Sequence, residues 1–101
     1  MLKSPRNDAF TNAARITKLF LITLAEHKTG EMLNGDDLLI ELDTTDARRS
    51  SFEIFHADDH LASYHVSTAY NQLGGTFLNY EVTIPMQYSD SEIIEFIKDN
   101  Y

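Results

Sequence analysis

The amino-acid sequence predicts an α+β domain: an N-terminal helix, a four-stranded antiparallel sheet and a C-terminal helix, with both helices on one sheet face. Three observations predict this class. Apolar residues recur at helical spacing in the first 30 residues, short segments with strand character fill residues 38–85, and a helix-start signal follows them. The length of 101 residues fits one domain, residues 1–101.

The first helix is predicted over residues 8–29. Asn7 or Asp8 can cap its start, and Gly30 ends it. Its apolar stripe consists of Phe10, Ala13, Ala14, Thr17, Phe20, Leu21 and Leu24. Residues 15–24 also tolerate a strand, but the alanines and the two end signals favour the helix.

Four strands are predicted between the helices. Their bounds are Leu38–Asp43, Ser51–Ala57, His60–Ser67 and Thr76–Pro85. Residues 67–75 leave two alternatives open. The segment extends the third strand into a hairpin that turns at Gly74 and Gly75, or it forms a short helix that begins after Ser67. The paired glycines favour the hairpin.

The C-terminal helix has the clearest start signal in the chain. Ser89 and Glu92 have the spacing of a capping box, in which each side chain bonds the other's backbone N–H group. The predicted helix continues through Asp99, with an apolar stripe of Ile93, Phe96 and Ile97.

The charge predicts the kind of partner. Eight basic and sixteen acidic residues give a net charge of −8, divided into +3 over residues 1–30 and −11 over residues 31–101. This charge repels phosphate backbones and anionic membrane surfaces, so we expect neither direct nucleic-acid nor membrane binding. A basic surface of a partner protein is the electrostatic complement, and no cofactor is expected.

We therefore predict a small acidic protein-binding or inhibitor domain. Its predicted partner-binding residues are Asp36, Asp37, Glu41, Asp43, Asp58, Asp59, Tyr64, Tyr70, Asp90, Glu92 and Glu95. The tyrosines have an alternative interpretation, as residues at the edge of the core. If the partner's basic surface binds nucleic acid, the domain competes by mimicking phosphates. Small acidic phage proteins that block host-defence nucleases, anti-CRISPR proteins among them, are similar in size and charge.

Two other functions stay open. Four consecutive apolar residues on a helix project in directions that together nearly surround its axis, so one sheet cannot cover all of them. The first helix has such a run in Leu19, Phe20, Leu21 and Ile22. The remaining side is covered by the second helix or a loop, or it forms a homodimer seam or a partner groove. His56 and His60 flank two aspartates, which makes them candidates for a metal- or small-molecule-binding turn, against a plain polar hairpin tip.

An enzyme is not expected. The sequence lacks the short motifs of a nucleophile elbow, a phosphate-binding glycine loop or a zinc protease. It also has no cysteine, which excludes a thiolate metal site and a cysteine nucleophile and fits a reducing compartment. The polar N-terminus lacks the apolar stretch of a secretory signal. We expect a cytoplasmic protein, in the host cytoplasm if a phage encodes it.

Overall fold

The computed structural model describes residues 5–43 and 51–101 of the chain. In order, its elements are α1 (Pro5–Thr29), a 3-10 turn (Gly35–Asp37), β1 (Leu38–Asp43), β2 (Ser51–His56), β3 (Asp59–Ser67), β4 (Gln72–Phe77), β5 (Tyr80–Pro85) and α2 (Asp90–Asn100). The α+β class and the order of helix, antiparallel sheet and helix are confirmed. The prediction of four strands is wrong, because the sheet has five.

The glycine pair does not form the predicted turn. β3 ends at Ser67, residues 68–71 form the turn, and Gly74 and Gly75 lie inside β4. Gly75 is needed there for close approach: a Cβ atom on it would lie 2.1 Å from the carbonyl oxygen of Ser63 on β3. The glycines therefore mark close packing between strands and not a change of chain direction.

The predicted strand Thr76–Pro85 is interrupted by a tight turn. Phe77 pairs with Tyr80 across a two-residue loop. Both loop residues have positive φ, 49° at Leu78 and 74° at Asn79, as the two central residues of a type I′ hairpin require. Leucine is an unusual residue for this conformation, so the turn has no strong sequence signal.

α1 begins earlier than predicted and ends where predicted. The predicted caps, Asn7 and Asp8, lie inside the helix, which starts at Pro5, a residue favoured at a first helical position. At the other end Gly30 has a φ of 77° and donates its N–H to the carbonyl of Glu26 at 2.9 Å. This glycine ends the helix in a left-handed conformation without steric cost.

The sheet is a simple meander, with strand order β1-β2-β3-β4-β5 and every neighbouring pair antiparallel. One face is buried under both helices. Phe20 of α1 lies 5.3 Å from Phe77 of β4 and 6.3 Å from Phe96 of α2, measured between ring centroids. The fully buried core also includes Ile16, Leu21, Leu24, Ile54, Leu73, Ile84, Ile93 and Ile97. Neither of the described helices, α1 and α2, lies on the opposite face of the sheet.

α2 is held at its predicted start. The capping box is present: Ser89 accepts the Glu92 N–H, and the Glu92 carboxylate accepts the Ser89 N–H. Its buried residues are Ile93 and Ile97. Neither helix in the described part of the chain combines the length and apolarity that a bilayer crossing requires.

Candidate functional site

The sheet face opposite the helices is the most distinctive surface of the molecule, and we call it the open face. Along each strand its residues alternate with those that point toward the helices. The strand positions that point away from the helices include Glu41 on β1, Glu53 on β2 and Glu81 on β5. Glu41 and Glu53 are direct cross-strand partners, an arrangement of like charges that destabilises a sheet.

Charge is divided unequally between the two layers. In the described residues, all lysines and arginines lie on the helices: Arg6, Arg15, Lys18, Lys28 and Lys98, beside the acids Asp8, Glu26, Asp90, Glu92, Glu95 and Asp99. The sheet layer, with its turns, has no described lysine or arginine and carries seven acids whose side chains the structure describes: Asp36, Asp37, Glu41, Glu53, Asp58, Asp59 and Glu81. Arg48 and Arg49 lie outside the described residues. Among the residues that the structure describes, the helix layer is thus nearly neutral and the sheet layer is strongly negative.

Four of the predicted carboxylates come together at one end of the sheet. Leu38 pairs with His56, so the 3-10 turn that precedes β1 lies beside the β2–β3 turn. These two turns carry Asp36, Asp37, Asp58 and Asp59, all exposed. The predicted Glu41 extends the same surface along β1. Asp43 ends β1, and its side chain lies outside the described residues.

A hydrogen-bonded network joins three open-face side chains. Ser63 Oγ donates to Glu53 Oε1 at 2.9 Å, and His60 Nε2 lies 3.0 Å from the same hydroxyl oxygen and 3.5 Å from Glu53 Oε1. With its proton directed to Glu53, the hydroxyl accepts from His60. In a catalytic triad the histidine instead takes the serine proton and the acid holds the other ring nitrogen. This network orients side chains and does not activate Ser63.

Two shallow depressions adjoin on the open face, and His65 lines both. The larger, about 550 Å³, lies over Gly74 and Gly75 and is bordered by Glu81. The smaller, about 260 Å³, is bordered by Glu53. Both are open to solvent, and each has a carboxylate at its edge. Their size and charge suit inserted cationic side chains better than an enclosed small molecule.

The structure corrects the prediction for Tyr64. This residue is 3% exposed and lies on the helix-facing side, where it stacks on Phe52 and bonds the Thr17 side chain. The alternative interpretation, that it belongs to the core, is the one observed. Tyr70 is 77% exposed in the β3–β4 turn, at the opposite end of the sheet from Asp58. The two tyrosines therefore share no surface.

The predicted seam on the first helix is partly covered within the chain. Phe20 and Leu21 are fully buried within the chain, and Leu19 and Ile22 are half-buried against the same core. A Cβ atom on Gly35 would lie 3.3 Å from Ile22, so the 3-10 turn covers one side of α1. α2 covers another. The second helix and a loop thus cover part of this group, and a dimer contact through Leu19 and Ile22 stays a prediction.

The acids of α2 lie on the helix layer, away from the open face. Asp90 pairs with Arg15 of α1, and Glu92 belongs to the capping box. Glu95 and Asp99 are exposed. The predicted partner-binding acids therefore do not form one patch, and two of those on α2 have local structural roles.

The two candidate metal ligands do not converge. His56, like Ile54, occupies a position of β2 that faces the helices. His60 instead lies at the open face, where its ring packs edge-on against Phe55 with 5.3 Å between ring centroids. Within residues 5–43 and 51–101 no group of three histidines or acids is placed to hold a metal ion.

Glu53 and Glu81 were missed as surface residues by the sequence reasoning. Both alternate with helix-facing neighbours, Glu53 before Ile54 and Glu81 before Val82. This alternation predicts their position, because a strand residue next to a core residue points to the opposite face of the sheet.

The chain matches no protein-family model, and no curated protein or solved structure is significantly similar to it.

Proposed function

We propose that this chain is a protein-binding domain that docks its open face and the adjoining turns on a basic surface of a partner protein. The observation that carries the proposal is the one-sided charge: the sheet layer has seven acids whose side chains the structure describes, and no described lysine or arginine. Where the partner surface is a nucleic-acid-binding site, the domain is a competitive inhibitor that mimics the nucleic acid.

The cross-strand arrangement of Glu41 and Glu53 supports a binding role. Like charges directly opposite on neighbouring strands cost stability, and no described lysine or arginine lies on this face to neutralise them. A surface selected only for solubility would intersperse both signs. The uncompensated field also speeds the encounter with a cationic partner.

The depressions provide places for individual cationic side chains. An arginine entering over Gly74 would meet the Glu81 carboxylate, and one entering the smaller depression would meet Glu53. The planar guanidinium forms paired hydrogen bonds with a carboxylate, which adds geometric specificity to the charge attraction. Glu53 is already oriented by Ser63, so less ordering is needed on binding.

Two triple variants of equal charge test the proposal. Glu41→Gln, Glu53→Gln and Glu81→Gln neutralise the open face, and Glu26→Gln, Glu95→Gln and Asp99→Asn neutralise exposed helix acids. Each set removes three charges from −8 and leaves −5. The tagged chain and both variants are used to capture proteins from lysate of its native cell, at low and high salt, with quantitative mass spectrometry.

The proposal expects a basic protein whose capture falls at least about tenfold with the open-face variant, falls little with the helix variant and weakens at high salt. Equal losses with the two variants, or capture indifferent to salt, would overturn it. The mimicry component is tested with the captured protein and labelled DNA or RNA. Wild-type chain should displace the nucleic acid, and simultaneous binding of both would contradict mimicry.

A further inference from the structure

The two edges of the sheet are protected differently. At the β5 edge, the Tyr101 hydroxyl donates to the Glu81 carbonyl oxygen at 3.3 Å, and the strand ends at Pro85, which has no N–H to offer. At the β1 edge, no described strand pairs with the outer side of Leu38–Asp43, and the Leu38 N–H donates to the Gly35 carbonyl oxygen of the preceding turn. Within the part of the chain that the structure describes, the outer side of β1 after Leu38 therefore has N–H and C=O groups on alternate residues without a strand partner.

Among the devices that protect an edge, β1 has acidic side chains but not the others. It contains no lysine, proline or bulge, and the only irregularity in its neighbourhood lies between Ile54 and Phe55 of the next pair. Leu39 is 54% exposed and Leu42 is 56% exposed, on opposite faces of the strand. An edge with unpaired backbone groups and exposed leucines on both faces is a template for an added strand.

The charge at this edge selects the occupant. Glu41 lies on β1, and Asp36 and Asp37 immediately precede the strand. A second copy would bring the same acids against them and would add a second net charge of −8, which opposes self-pairing. A cationic strand meets the opposite electrostatic condition.

We infer that β1 captures an extended, basic segment of the partner protein as a sixth strand of the sheet. This inference rests on the proposed function and names the form of the ligand. In the added strand, residues on the open-face side would be lysine or arginine, within reach of Glu41 and Glu53. The alternate residues would be apolar and would extend the helix-facing row of Leu38, Ile40 and Leu42.

The probe is a capped seven-residue peptide that alternates lysine and valine, titrated into the full chain with NMR detection of backbone amides. We expect shifts and exchange protection along Leu38–Asp43 and none along Tyr80–Pro85. A peptide that alternates glutamate and valine should not bind. Two further peptides carry N-methyl groups on all lysines or on all valines. Because strand N–H groups alternate in direction, only one of them should weaken binding, by at least about tenfold.

A protein variant gives an independent readout. Leu39→Lys with Leu42→Lys places cations on the exposed edge and should weaken the lysine–valine peptide at least about tenfold. Circular dichroism checks that the fold is kept, which is expected because both leucines are exposed. If neither this variant nor either methylated peptide changes binding, the sixth-strand inference is overturned.

The outcomes separate this inference from the proposed function. One outcome keeps docking and rejects strand capture. In it, the open-face variant loses the native partner, but the edge variant binds the peptide as the wild type does and the methylated peptides bind as the unmethylated one does. If the peptide pairs with β1 but the two triple variants capture the partner equally, docking fails. A dimer in light scattering, with β1 amides protected in the absence of peptide, would make a second copy the occupant and overturn the inference.

Discussion

At Gly75 the backbones of β3 and β4 approach so closely that no side chain fits. A Cβ atom there would lie 2.1 Å from the Ser63 carbonyl oxygen and 2.6 Å from the Tyr64 Cα, and both are backbone atoms. At the neighbouring Gly74, the nearest atom would be in the His65 ring at 3.3 Å. A ring can rotate away, whereas a strand backbone can move only with the sheet.

Alanine at each glycine tests this difference. Gly75→Ala should lower the free energy of unfolding by roughly 1–3 kcal/mol or more, because the clash forces the strands apart. Gly74→Ala should change it by less than about 0.5 kcal/mol, since only His65 must adjust. Chemical denaturation of both variants and the wild type provides the comparison. Similar losses at the two positions would contradict this account of β4.

Tyr64 makes stability depend on alkaline pH. Burial raises the pKa of its phenol above the ordinary value of about 10, and the hydrogen bond with the Thr17 side chain lowers it by less. Below pH about 10 both the folded and unfolded states keep the proton. Above it, the unfolded state loses the proton first, so stability falls as pH rises toward the folded-state pKa.

Tyr64→Phe should therefore cost about 1 kcal/mol at neutral pH, from the lost hydrogen bond, and the gap to wild type should narrow above pH about 10. Thr17→Val is the matched control: it removes the same hydrogen bond but keeps the titrating phenol, so its alkaline decline should persist. Denaturation curves across the alkaline range check the prediction. Parallel profiles for all three proteins would show that Tyr64 does not cause the decline.

At the scale of the element, the start of α2 depends on one side chain. Ser89→Ala should lower the free energy of unfolding by about 1 kcal/mol, because the Glu92 N–H loses its acceptor at the helix start. For a domain of this size that is a fall in Tm of roughly 4 °C. Ser91→Ala, in the same turn, should have little effect in the same thermal melt. Equal shifts would mean that the capping box does not stabilise α2.

Elements with local signals were predictable, and those that depend on packing were not. β1 was predicted with the observed bounds, and the capping box fixed α2 because a cap acts within four residues. The division of the last predicted strand was missed because the turn uses Leu78 at positive φ. The turn leaves Leu78 packed against the core, a tertiary compensation that local sequence does not report.

The candidate site was predictable in charge but not in location. The acidic surplus after residue 30 is a sequence property, yet its assignment to layers required the sheet register. Glu41 meets Glu53 only because β1 and β2 pair as they do, and Tyr64 was assigned to the surface although α1 covers its side of β3. Asp90 and Glu92 are close in the sequence, but each already has a structural role: Asp90 forms a salt bridge with Arg15, and Glu92 belongs to the capping box of α2.

At the scale of the whole molecule, the fold separates charge between two layers. The meander places each described sheet acid outside the core, and the two helices that cover the other face contain all the described lysines and arginines. A separation of this kind gives the molecule a preferred orientation toward any cationic surface, because the interaction is strongest with the most negative face.

That preferred orientation should be visible on a quaternary-ammonium resin, without any natural partner. The two triple variants described above have the same formal charge, so a resin that responded only to net charge would release them together. A resin that binds mainly the open face should release the Glu41→Gln, Glu53→Gln and Glu81→Gln variant at clearly lower salt than the helix variant. The helix variant should elute close to wild type. Co-elution of the two variants would show that the sheet layer does not dominate the field of the molecule, and the charge argument for docking through the open face would fail with it.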